Sequence, residues 1–236
     1  MKHKRLGSSF STIVASVALL LIACVQATAA VLTGSVLTAG QPIAGATVVA
    51  DDQPVTETIV LVRHGEKPDL GLGQLNCQGL NRALALPAVI AKQFGRPDAI
   101  FAPDPAQSKE DNGHPYNYVR PLATIEPTAI AFSLPVDASI GVSNLDALRQ
   151  KLESPSYRSA FLVVAWEHSD IAKLARLLIK DYGGDPAVVP DWQGGDFDSI
   201  YVVRLARAGR GTTATFEQRQ EGLDGQPIVC PGQPPR

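Results

Sequence analysis

Four short apolar runs, TIVLV (58–62), DAIFA (98–102), AFLVVAW (160–166) and SIYVVRL (199–205), are near-continuous rather than alternating. A strand with one wet face alternates apolar and polar residues, so a continuous run of this length marks a strand covered on both faces. Between the runs lie segments of helical period. Ile171, Leu174, Ala175 and Leu178 repeat at helical spacing, Lys173, Arg176 and Lys180 lie on the other side, and Gly183-Gly184 ends the turn. Ser143 and Asp146 have the spacing of a capping box for another helix, and 79–94 reads as helical with Pro87 kinking or dividing it. Strands alternating with helices predict an α/β fold in three layers: a mainly parallel central sheet with helices on both faces. Ligands in such sheets bind at the carboxyl ends of the strands.

The chain opens with Lys2, Lys4 and Arg5, an apolar stretch from Ile13 to Val25 and then small residues, the layout of a secretory signal. Two processing routes fit. Ala27-Thr28-Ala29 is a small-x-small cleavage site, whereas Leu21-Ile22-Ala23-Cys24 resembles a lipoprotein box in which Cys24 would carry a lipid anchor. The stretch is short for a membrane-spanning helix. Export to a periplasmic, outer-membrane-anchored or secreted state is the expectation. Residues 30–56 alternate apolar and small residues around Gly-Gln-Pro and Ala-Gly turns and read as a linker or short β segment, leaving 57–236 as the main domain.

Losing residues 1–29 removes three cations and no acid, moving the formal charge from −2 to −5. That balance gives no support to nucleic-acid binding, whose footprint is a basic surface. Either route disposes of Cys24 as a free thiol, and the remaining pair, Cys77 and Cys230, is expected to form a disulfide in an oxidising compartment. Three histidines remain, without HExxH or CxxC spacing, so no metal site and no cofactor is expected.

The chemistry gathers where two of the runs end. Arg63 and His64 follow the first run, and His168 follows the third at the start of its own helix, so the topology brings both histidines to one sheet edge. A histidine there can attack phosphorus and carry the phosphoryl group, dividing one transfer into two easier steps. Gly65 permits close backbone approach. Arg120 opens a further helix, so two guanidinium forks, a second histidine and the helix N-terminus near Ser169 would surround a small phosphorylated substrate with charge-assisted donors.

The sequence resembles the histidine phosphatase superfamily, which includes phosphoglycerate mutases and histidine acid phosphatases. The resemblance rests on RHGE after the first strand, GLNRALAL in the following helix, Arg120 with Thr124 four residues on, and His168 after a late strand, and it spans residues 57 to about 205. It implies His64 as nucleophile, with Arg63, Arg120 and His168 on the phosphoryl oxygens, in a metal-free phosphomonoester hydrolase. A phosphomutase and a non-catalytic anion-binding protein are the alternatives.

Three departures stand out. Ser169 replaces the glycine or aspartate of the family's branches, PDPAQSKEDNGHPYNYV before Arg120 is long, and no proton donor matches clearly. Glu167, Asp170 and Asp137 are candidates for the acid, with Glu167 foremost because the adjacent Trp166 would keep its carboxyl protonated. The long segment, with His114, Tyr116, Tyr118 and a turn at Asn112-Gly113, reads as a solvated surface loop, and Trp192 with GGDFDS as a packing anchor and a turn.

Overall fold

The computed structural model describes residues 53–233 and the backbone of four three-residue strands before them, β1 Val31–Thr33, β2 Val36–Thr38, β3 Gln41–Ile43 and β4 Thr47–Val49. β2 pairs antiparallel with β3, and β1 with β4, so the expected short β segment is two nested ladders. The export signal, Cys24 and both processing sites lie outside the described residues. Among the described residues no helix is long and apolar enough to cross a membrane.

The main unit is built on a six-stranded sheet. Its strands are β5 Val55–Arg63, β6 Ala99–Pro103, β9 Val136–Ile140, β10 Phe161–Trp166, β11 Ser199–Ala208 and β12 Gly211–Gln220, in the spatial order β12-β11-β5-β10-β6-β9. A separate hairpin, β7 Ser108–Asp111 and β8 His114–Asn117, occupies the long segment before Arg120. β5, β10, β6 and β9 run parallel, and β11 reverses against β5.

Among the described residues the α-helices are α1 Cys77–Gln93, α2 Arg120–Phe132, α3 Leu145–Leu152 and α4 His168–Asp181. The pleat explains the continuous runs. Ile59 and Leu61 enter the core under α3 and α4 with Leu148, Leu174 and Leu178, while Val60 and Val62 enter a second core with Leu86 and Ile90 of α1 and Ile125 of α2. All four β5 side chains are fully buried, which fixes their register, because a one-residue slip would exchange the two cores.

Two expected helix details are corrected. α3 is capped by Asn144, whose side chain accepts from the Ala147 N–H at 3.1 Å, and not by Ser143. Ser143 lies one residue too early to reach the first turn. Likewise α1 starts at Cys77 under an Asn76 cap and continues through Pro87 as one seventeen-residue element. The Cys77–Cys230 disulfide is present.

Beside it α1 carries a buried ion cluster. Arg82 is 2.8 Å from Glu66, 2.8 Å from Glu221, 3.1 Å from Asp224 and 3.4 Å from Asp198. One guanidinium cannot neutralise four carboxylates. Glu221 is buried with its Oε1 unpartnered, and desolvation pushes its pKa up to about 8 despite Arg82. A carboxyl with a raised folded-state pKa stabilises the fold fully below its unfolded value and loses that contribution as pH rises through the folded value. Stability is therefore expected to fall between about pH 5 and 8, by about 2–4 kcal/mol from this group. Thermal melts across that window should show the slope, and Glu221→Gln should flatten it. An unchanged slope would place the proton elsewhere.

Candidate active site

β5 and β10 end side by side, Arg63 in register with Trp166, and the His64 N–H continues the ladder to the Trp166 carbonyl at 3.1 Å. The chain then turns sharply at Gly65. A Cβ there would sit 2.9 Å from the Gly79 backbone, so α1 can press against the turn only if residue 65 is glycine. The Gly65 N–H donates to Thr124 Oγ1 (2.9 Å), and that hydroxyl donates to the Arg120 carbonyl (2.8 Å). One threonine thus ties the turn to the first turn of α2.

These constraints set the state of His64, which is 3 % exposed. Its Nδ1 lies 2.8 Å from the Gly65 carbonyl, and Arg120 Nε–H donates to its Nε2 at 3.3 Å. A carbonyl only accepts and a guanidinium only donates, which assigns the proton to Nδ1 and the lone pair to Nε2. Burial, reinforced by the charges of Arg120 and Arg63, pulls the imidazole pKa down to about 3. The ring is a neutral base with a directed lone pair.

Arg63 Nη1 donates to the Gly194 and Asp196 carbonyls at 2.8 and 2.7 Å, and its guanidinium lies 3.8 Å from the centre of the Phe197 ring. Its Nε is buried without a partner. The GGDFDS segment therefore does more than turn. Because β11 runs antiparallel to β5, the residues before it arrive at the carboxyl edge, and they grip Arg63 there. Trp192, buried and donating to the Asp196 carbonyl at 2.9 Å, anchors the segment as expected.

Arg120 is held from the hairpin. Asp111 accepts from Arg120 Nη1 at 2.6 Å and Nη2 at 3.1 Å, from Lys67 at 3.0 Å and from the Gly73 N–H at 3.2 Å. These donors hold its carboxyl well below the ordinary range in spite of burial. Tyr118, fully buried, stands edge-on to His64 with centroids 6.0 Å apart, and Arg120 lies 4.6 Å from its ring centre. The segment expected to be a surface loop is thus a site wall. Its turn is where the sequence put it, with positive φ at Asn112 and Gly113, while His114 stays exposed.

The reason for expecting Glu167 as the acid is also corrected. Glu167 is the N-cap of α4: its Oε2 accepts from Ser169 Oγ at 2.5 Å and the Asp170 N–H at 3.1 Å, and its Oε1 is 2.5 Å from His168 Nδ1. His168 and Ser169 hold the carboxyl below the ordinary range even though burial opposes them. Trp166 cannot keep it protonated, because strand alternation sends the indole into the core, where it donates to the Val142 carbonyl. Glu167 is close enough for its charge to act on both His64 and Arg63. The other two candidates are engaged elsewhere. Asp170 pairs with Lys173, and Asp137, on the edge strand, pairs with Lys151 and Ser139.

No protein-family model and no curated protein matches the sequence. Solved structures match its backbone. A SixA phosphohistidine phosphatase from Nakamurella multipartitia aligns at a TM-score of 0.48 and 14 % identity, covering 69 % of this chain and 95 % of that one. A phosphoglycerate mutase from Plasmodium falciparum gives 0.45 and 15 %, covering 72 % and 92 %. A mycobacterial glucosyl-3-phosphoglycerate phosphatase with inorganic phosphate gives 0.45 and 15 %, covering 68 % and 95 %. The backbone is similar to those of phosphatases and a mutase. At these identities the chemistry of the site rests on its own residues.

Proposed function

We propose that the chain is a phosphomonoester hydrolase of the histidine phosphatase type, with His64 as nucleophile. The observation that carries this reading is the fixed, neutral imidazole, its Nδ1 proton held by a backbone carbonyl and its Nε2 lone pair facing an arginine. Nε2 attacks phosphorus as the ester P–O bond breaks and the alkoxide leaves; water then attacks phosphorus, the P–N bond breaks, its electron pair returns to Nε2, and inorganic phosphate is released. The entering phosphoryl oxygens take over the Arg120 Nε–H that now faces Nε2 and meet the open Nε–H of Arg63. When His168 is protonated, its charge pairs with the Glu167 carboxylate beside Nδ1 and leaves Nε2–H for the same oxygens.

Glu167 and Asp111 are both held below the ordinary carboxylate range, which works against either as the donor of a proton to the leaving oxygen. Esters of acidic alcohols, which leave without one, are the substrates to try first. Brief incubation with radiolabelled phenyl phosphate and alkaline quenching should trap label on His64, since phosphohistidine survives base and not acid. Label on another residue would overturn the assignment. A second reading, an anion-binding protein without turnover, draws on the closure of Arg120 over Nε2 and on the lowered pKa of both Glu167 and Asp111 beside it. It predicts phosphate binding with no label.

We further propose export, supported by the N-terminal Lys2–Cys24 pattern and by a bridge that suits an oxidising compartment. Asp111 should act on turnover by aiming Arg120. Asp111→Asn removes a negative charge that competes with phosphate, so product inhibition should tighten several-fold. At the same time kcat should fall by about ten- to a hundred-fold as the guanidinium loses its charged clamp. Steady-state kinetics with phosphate as inhibitor separates the two effects, and unchanged kcat would leave Asp111 a purely structural group.

A further inference from the structure

The hairpin β7–β8 presents two side chains from one face of β7. Period two puts Lys109 beside Asp111, and burial follows, with Ser108 and Glu110 exposed, Lys109 half-buried and Asp111 buried. Asp111 reaches Arg120, so the same face aims Lys109 at the site. Its Nζ stands 5.0 Å from the centre of the Tyr118 ring, whose edge meets His64.

The other cations at this edge are already engaged. Arg63 is bound to two carbonyls and Arg120 to Asp111, Lys67 pairs with Asp111, and His168 lies against Glu167. Among the described residues Lys109 makes no ion pair, and no hydrogen bond of its ammonium is formed. Its field nevertheless reaches Glu167, which places it over the site rather than out on the far side of the ribbon. A half-buried ammonium left over an aromatic wall, one ring away from the nucleophile, suits an anionic group that arrives with the substrate.

We propose that Lys109 is a specificity-determining residue that receives a second anionic group, a carboxylate or a further phosphate, of a substrate whose scissile phosphoryl lies at His64. The inference rests on the phosphatase reading of that site. The substrate class is a phosphomonoester carrying an additional negative charge within reach of the hairpin. Tyr118 supplies the face on which its carbon skeleton lies, and the exposed Glu110, on the opposite side of the strand, does not oppose it.

The test compares kcat/KM for phenyl phosphate with that for carboxyphenyl phosphate and phenylene bisphosphate, in the wild type, Lys109→Met and Lys109→Arg. The wild type should prefer at least one of the charged esters by about ten- to a hundred-fold, the range of one charge-assisted contact. Lys109→Met should bring that ratio close to one, and Lys109→Arg should restore most of it. The ratio is taken within each protein, so partial misfolding of a variant cancels. Preference for the carboxylated ester alone identifies a carboxylate subsite, and for the bisphosphate alone a phosphate subsite. Equal loss on all three esters would assign Lys109 to the phosphoryl group itself and overturn the proposal, as would an unchanged ratio. If the wild type hydrolyses none of them, the phosphatase reading falls separately. Calorimetric titration of both proteins with phenylphosphonate and carboxyphenylphosphonate then decides Lys109 by whether the carboxylate improves binding to the wild type and not to Lys109→Met.

Discussion

A His64→Asn protein is expected to lose at least about four orders of magnitude in turnover, the scale of removing a nucleophile that acts with its partners as a unit. Asparagine keeps an N–H where Nδ1 donates to the Gly65 carbonyl, so the turn survives, but nothing replaces the Nε2 lone pair. Arg120 Nε loses its present partner and remains available to phosphate. Turnover should vanish while calorimetry still detects phosphate binding. The pH profile carries a second signature. With a pKa of about 3, the His64 imidazole stays neutral through the ordinary histidine range, so the free-enzyme profile should show no inflection near 6.5 from this group. Normal turnover in the variant would end the phosphohistidine mechanism.

Breaking the Cys77–Cys230 bridge should produce the largest change in stability. The bond closes 153 residues, and loops of this order constrain the unfolded chain by about 3–5 kcal/mol. For a unit of this size that corresponds to a fall of about 6–20 °C in thermal midpoint in a Cys77→Ser/Cys230→Ser protein. The tail would not be released. Asn81 still donates to the Pro227 and Val229 carbonyls at 2.7 and 2.9 Å, and Arg82 still holds Glu221. Activity at low temperature should therefore persist, and a midpoint unmoved by substitution would mean that the unfolded chain is already constrained in other ways.

The sequence was most legible where burial is two-sided. Continuous runs gave β5, β6, β10 and β11 to within a few residues, since short runs rich in β-branched and aromatic residues between turn signals suit a strand covered on both faces. β9, with Asp137 and Ser139, lacked that signal because it is an edge strand whose ladder continues on one side only. β12 does alternate, but its exposed positions carry Gly, Thr and Gln, which also suit a loop. Placement of His64 and His168 at one edge followed from topology alone. The Asp111 clamp did not, because it depends on a hairpin folding back over the edge, and only the Asn112-Gly113 turn hinted at that ribbon. The apolar-neighbour argument for Glu167 failed on direction. Adjacency in sequence suggested an apolar neighbour, whereas the strand end sends Trp166 inward and leaves Glu167 to cap a helix.

The clasp between α1 and the chain around residues 221–230 has a consequence for the order in which the protein comes into being. His64 is synthesised early, but the turn that presents it leans on Gly79 and on Glu66, and Glu66 is gripped by Arg82 together with Glu221, made much later. β5 itself lies between β10 and β11, both more than ninety residues downstream. A nascent chain carrying only its first half thus has the reactive imidazole but neither neighbour of its strand nor the acid that completes the Arg82 cluster. Assembly of the site waits for the synthesis of β10, β11 and the segment around Glu221, and such distant pairings make for slow folding. The imidazole of His64 is made long before the groups that surround it.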